Sequence, residues 1–185
     1  MSARAQTLTL RLSLLATVCA LLLHAALAGV RSQGAARQSD PASAARVAQT
    51  VEQARGATLT DDAFTDALSL GYQLVGERRY AEAAELFGAL AARRPRDDAA
   101  LYGAALATFN LGRAAEAETL ARRAVAALLP AGADARAGGL FARAEKMRAA
   151  DALVLLAVVL AVRGNNAEAL KTVERAAHLA PEHFD

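Results

Sequence analysis

LGYQLVGERRYAEAAELF, residues 70–87, decides the fold. Its Ala81-Glu82-Ala83 recurs 34 residues later as Ala115-Glu116-Ala117, and after a further 52 as Ala167-Glu168-Ala169. Alanine is common in this chain, so the tripeptide carries weight only because its surroundings recur with it. Leu70-Gly71, Leu74, Ala83, Phe87, Leu90 and Pro95 are matched by Ala104-Ala105, Thr108, Ala117, Ala121 and Ala124, with Pro130 one place late. A third set holds Leu156-Ala157, Leu160, Ala169, Val173, Ala176 and Pro181. The second interval equals one period plus 18 residues, which marks an insertion.

Each unit has an apolar-periodic segment, a short polar or glycine-containing break, a second apolar-periodic segment and a breaker. That order predicts two antiparallel helices and a turn. Gly71, Ala105 and Ala157 sit where the paired helices approach, opposite Ala83, Ala117 and Ala169. One such hairpin leaves its apolar face open, so neighbouring units are expected to stack. The period and core positions resemble the tetratricopeptide repeat (TPR) family, over about 100 residues. The resemblance implies an all-α fold: an α-α superhelix (TPR solenoid) of about three helical hairpins. Its domain would span 61–185, with repeats at about 64–97, 98–131 and 150–183 and an insertion at 132–149.

The expected helices of the repeats are 62–76, 80–93, 98–110, 114–129, 151–163 and 166–180. Thr60 and Asp61 cap the first, and Gly112 and Gly164 provide left-handed stops. Asp40-Pro41 reads as a cap and first-turn proline opening a helix to about residue 56, within an N-terminal segment 41–60. Its stripe of Ala44, Val47, Val51 and Ala54 is expected to pack on the first repeat. In the insertion, 130–139 reads as a loop. Residues 140–148 are helix-compatible and are expected to run on as one long helix, 140–163; the alternative is a separate short helix folded over the groove.

Residues 1–28 read as a signal peptide or membrane anchor: Arg4 and Arg11 precede an apolar run at 12–27, and Ala26-Leu27-Ala28 supplies a small-x-small cleavage pattern. Cleavage after Ala28 competes with retention, because the uncharged stretch between Arg11 and Arg31 approaches bilayer-spanning length. A lipid-modified start at Cys19 is a third reading, on a loose lipobox. Residues 29–40 read as a flexible leader. All of these place the protein outside the cytoplasm, as an exported bacterial type: periplasmic or extracytoplasmic, free or membrane-anchored.

Beyond Ala28 the chain has 19 basic and 19 acidic residues and no cysteine. The absence of net positive charge disfavours nucleic-acid partners. The absence of cysteine excludes disulfides, thiol nucleophiles and thiolate metal sites. With 55% hydrophobic but only 4% aromatic residues, packing must come from closely approaching Ala, Leu and Val helices. His178 and His183 lack convergent ligands for zinc and read as surface or helix-end residues. Lys146 and Lys171 are the only lysines and neither sits in a Gly-rich phosphate loop; no Gly-x-Ser-x-Gly elbow occurs. Asp61-Asp62 and Asp97-Asp98 read as helix-start carboxylates, not acid/base pairs. Arg93-Arg94-Pro95-Arg96 and Arg122-Arg123 read as solvated faces, offset by acidic neighbours such as Asp97 and Asp98. The apolar run 152–162 is too short to span a bilayer and reads as a helix buried on more than one side. No catalytic residues, metal site or cofactor are expected.

In the TPR family the first helix of each hairpin lines the concave face. The resemblance therefore implies a groove of Leu68, Tyr72 and Val75, then Tyr102, Leu106, Phe109 and Asn110, then Val154 and Val158. Tyr72, Gly103 and Leu155 stand where members that clamp a terminal carboxylate carry polar residues, so an apolar or amphipathic peptide is the expected ligand. The expected function is a non-catalytic protein-protein interaction scaffold or adaptor of the cell envelope. Rival readings are an accessory domain or fragment of a larger envelope enzyme or sensor, and a secretion chaperone. Residues 71–87 also resemble the first repeat of type III secretion chaperones of this fold, which act in the cytoplasm, and the export segment points away from them. No capping helix follows Ala180, so a further repeat, self-association, or a partner covering Val173, Ala176 and Leu179 is expected at that end.

Overall fold

A computed structural model describes residues 40–56, 58–129 and 143–181. The expected export segment, nearly all of the leader, the loop of the insertion and His183 lie outside the described residues. Within them the fold is all-α, with seven helices and no strand. These are α1 (Pro41–Arg55), α2 (Asp61–Gly76), α3 (Tyr80–Arg93), α4 (Asp98–Asn110), α5 (Ala114–Leu128), α6 (Arg143–Val162) and α7 (Asn166–Leu179).

Local chemistry sets the starts. Asp40 accepts from the Ala42 amide at 3.3 Å ahead of Pro41, Thr60 from Ala63 at 3.2 Å and Asp97 from Ala100 at 2.9 Å. Each satisfies an amide that helix geometry leaves without a partner, typically worth about 1 kcal/mol. Asp61, Asp62 and Asp98 occupy first turns, where the helix dipole favours negative charge.

The sequence repeat reappears in the backbone. Arg78, Gly112 and Gly164 have φ of 62°, 78° and 85°, at the same place in three turns. The amides of Arg79, Arg113 and Asn165 then bond the carbonyls of Leu74, Thr108 and Leu160 at 2.9, 3.2 and 2.9 Å. This six-to-one closure ends each first helix and reverses the chain at once into the second. The second helices end alike, at Arg94, Leu129 and Ala180, whose φ values are −124°, −123° and −138°. Pro130 comes one place late because α5 has 15 residues where α3 has 14.

Arg78 is the one turn residue of the three with a Cβ in the left-handed region, where an L side chain costs about 1–2 kcal/mol. Arg78→Gly is therefore expected to raise stability by about 0.5–1 kcal/mol after the entropy glycine adds to the unfolded chain. A thermal melt checks this: the midpoint should rise by about 2–4 °C. An unchanged or lower midpoint would show that the Arg78 side chain offsets its own strain.

Each helix from α2 to α7 packs on the next, and α1 packs mainly on α3 through Val47, Val51 and Ala54. Ala44 of the expected stripe is only half-buried. Gly71, Ala105 and Ala157 are buried, as are Ala83, Ala117 and Ala169; the atoms that a Cβ at Gly71 would meet first belong to the Phe87 ring. The middle of the stack explains the composition. α4 buries Ala100, Leu101, Gly103, Ala104, Ala105, Ala107 and Thr108, and α6 buries most of its run from Ala152 to Leu160. Helices apolar nearly all round have neighbours on several sides; α6 lies against both α5 and α7. Among the described residues, no helix is long and apolar enough to cross a membrane. The described part of the insertion runs straight into the third hairpin, since α6 is continuous from Arg143.

Candidate functional site

The nine residues expected to line a groove lie on one face of each first helix. Leu68, Tyr72 and Val75 follow one another at i, i+4 and i+7 on α2; Tyr102, Leu106 and Phe109 do so on α4, with Asn110 beside them. Val154 and Val158 are one turn apart on α6. None of the nine is buried: Tyr72 and Asn110 are exposed and the other seven half-buried. Beside these faces, Ala67 and Leu74 on α2 and Leu101 and Thr108 on α4 are buried in the core, as is Phe64 one turn before Leu68.

These faces adjoin, because α2 touches α4 and α4 touches α6. Two tyrosines mark the seams. Tyr72 Oη donates to the carbonyl of Ala99 at 2.8 Å, tying α2 to the first turn of α4. Tyr102 stands close enough to Asp151 at the neighbouring part of α6 to feel its charge. Its phenol is held above the ordinary range by burial first and by that carboxylate second. Burial likewise pushes the Tyr72 phenol up, with smaller contributions from Tyr102 and Asp98. Both phenols therefore remain neutral donors near neutral pH. Asn110 Nδ2 donates to Leu106 O at 2.8 Å. The face is apolar and aromatic with few polar points, suited to apolar side chains. Among the described residues no three His, Cys, Asp or Glu side chains are placed to hold a metal ion.

Phe87 of α3 supports this face from behind. Its ring fills a slot between α2 and α4, and a Cβ added at Gly71 or Gly103 would lie 2.6 or 2.4 Å from ring atoms. Tyr72 meets the same ring edge-on, with centroids 5.0 Å apart at 65°. The sequence placed Gly71 at a close approach but read Gly103 only as a missing polar contact. Its actual role was foreshadowed by spacing, since Gly103 faces the second helix of the preceding unit.

The arginine runs need correction. Arg94 is not simply solvated: its guanidinium lies 3.9 Å over the Phe64 ring and pairs with Asp61, joining the end of the first hairpin to its start. Asp98, read as offsetting the arginines beside it, pairs instead with Arg148 of α6 at 2.9 Å. Arg122 bridges Glu118 and Glu168, the latter at 2.7 Å, and Arg163 reaches Glu118 from the turn after α6. Glu118 is only 5% exposed. Spacing gave no clue to this, since its equivalents Ala84 and Leu170 are half-buried and exposed.

The open end also differs in detail from expectation. Ala176 is fully buried by the chain itself, so nothing further is needed to cover it. Val173 and Leu179 are half-buried, while Leu170, which the sequence reading passed over, is 47% exposed. No family model matches the chain, and no curated protein matches it.

Proposed function

We propose that this protein is a non-catalytic docking scaffold of the tetratricopeptide kind, holding an apolar or amphipathic segment of a partner protein against the first helices of its hairpins. The observation that carries this reading is that successive first helices, which touch one another, each leave apolar side chains exposed or half-buried, from Tyr72 through Tyr102 and Phe109 to Val158. Scattered single apolar residues are normal on a protein surface, whereas a contiguous row invites a partner.

The first helices touch one another in succession, α2 with α4 and α4 with α6, which supports reading this face as the inner one of a tetratricopeptide-like superhelix. The export segment read from residues 1–28 puts the scaffold in the cell envelope, where a partner would be a subunit of an envelope or secretion assembly.

Pull-down from an envelope fraction, followed by mass spectrometry, tests the reading. A partner held by the native protein should be lost from Tyr102→Ala/Phe109→Ala, whose folding is checked by its helical circular dichroism. Retention of that partner by a folded double variant would place the binding surface elsewhere.

A further inference from the structure

We propose that the protein forms a two-fold dimer through the outward face of α7. The internal repeat shows how unusual this face is. Phe87, Ala121 and Val173 are equivalent by the 34- and 52-residue spacings, and so are Ala84, Glu118 and Leu170. In the first hairpin Phe87 is buried beneath α4, and in the second Glu118 and Ala121 are buried with α6 packed on α5. In the third, Leu170 is 47% exposed and Val173 and Ala177 are half-buried. Leu170 is thus a large apolar side chain at a position that its counterpart in the second hairpin keeps covered.

Charge and shape identify the occupant as a second copy. When one α7 is laid antiparallel on another, about an axis between Thr172 and Val173, Leu170 falls between Val173 and Ala177 of the second copy. In the same register exposed Lys171 lies level with exposed Glu174 of the other copy, and the symmetry makes that opposite-charge pair twice. The small side chain of Ala177 lets the helices approach. Head-to-tail stacking fits poorly. It would set α7 against the outer side of α2, where Asp66 and Gln73 are exposed; their counterparts Ala100 and Ala107, and Ala152 and Val159, are buried and apolar. Burying a carboxylate there without a partner is costly. A two-fold contact leaves that polar surface in water.

The contact lies on the last second helix, outside the first-helix face, so its failure and the failure of the docking proposal are separately visible. Light scattering behind size-exclusion chromatography, run on the purified full chain over a concentration series, tests it. The native chain should run as a dimer. Leu170→Glu, at a position exposed in the monomer, should retain its helical circular dichroism and weaken the dimer by about 30-fold or more. Lys171→Glu should weaken it, and Lys171→Glu/Glu174→Lys should restore it. A monomer at every concentration, a dimer indifferent to Leu170→Glu, or a charge swap that restores nothing would each overturn the proposal.

Discussion

Phe87→Ala should be the most damaging single truncation in the molecule, with a loss of about 3–5 kcal/mol in chemical denaturation. The ring is fully buried, and three helices depend on it. It fills the slot left by Gly71 and Gly103 and meets the edge of Tyr72, so its loss opens a cavity that α2 and α4 cannot close without breaking their own contacts. The reciprocal change is also informative. Gly103→Ala places a Cβ 2.4 Å from the ring and is expected to cost about 1–3 kcal/mol through overpacking. Combined with Phe87→Leu, it should cost less than the two single changes added together, since the smaller side chain makes room. Strict additivity would show that the ring and the glycine do not share the slot.

Glu118→Ala is expected to cost about 1.5–3 kcal/mol, the range for hydrogen bonds involving charged groups. Glu118 is nearly covered and pairs with Arg122 and Arg163, thereby connecting α5, the turn after α6 and, through Arg122 and Glu168, the start of α7. The loss falls short of that for a fully buried pair because the two arginine side chains are 44% and 39% exposed and regain water. Urea denaturation at low and moderate salt checks the assignment. A destabilisation under about 0.5 kcal/mol would be the surface-pair value and would show that the network contributes little.

The fold was largely legible because its information is periodic. Spacing alone located the six helices of the three hairpins to within a residue or so at almost every end, and the left-handed turns at Gly112 and Gly164 followed from glycine chemistry. Arg78 was less legible, since only its alignment with those glycines exposes the strain. Long-range pairing was the weakest part. Arg94 with Asp61, Arg148 with Asp98 and Arg122 with Glu168 span 33, 50 and 46 residues, and sequence neighbours suggested different partners. Long flexible side chains choose among acids that the fold brings near, and local spacing carries no record of that choice. The residues proposed for the face came from the family resemblance, and their i, i+4 and i+7 spacing puts each set on one side of its helix. Their dependence on Phe87 was not legible, because the ring comes from the second helix and acts through two glycines.

Site-specific photo-crosslinking in the host cell tests the docking face most directly. A benzophenone side chain placed at Tyr72 or Asn110, both exposed on the first-helix face, should yield a covalent adduct with one and the same protein. The same group at Glu85 or Thr119, exposed on the second helices, should not. Adducts from Glu85 and Thr119 with none from Tyr72 and Asn110 would contradict the assignment of the first helices as the binding surface.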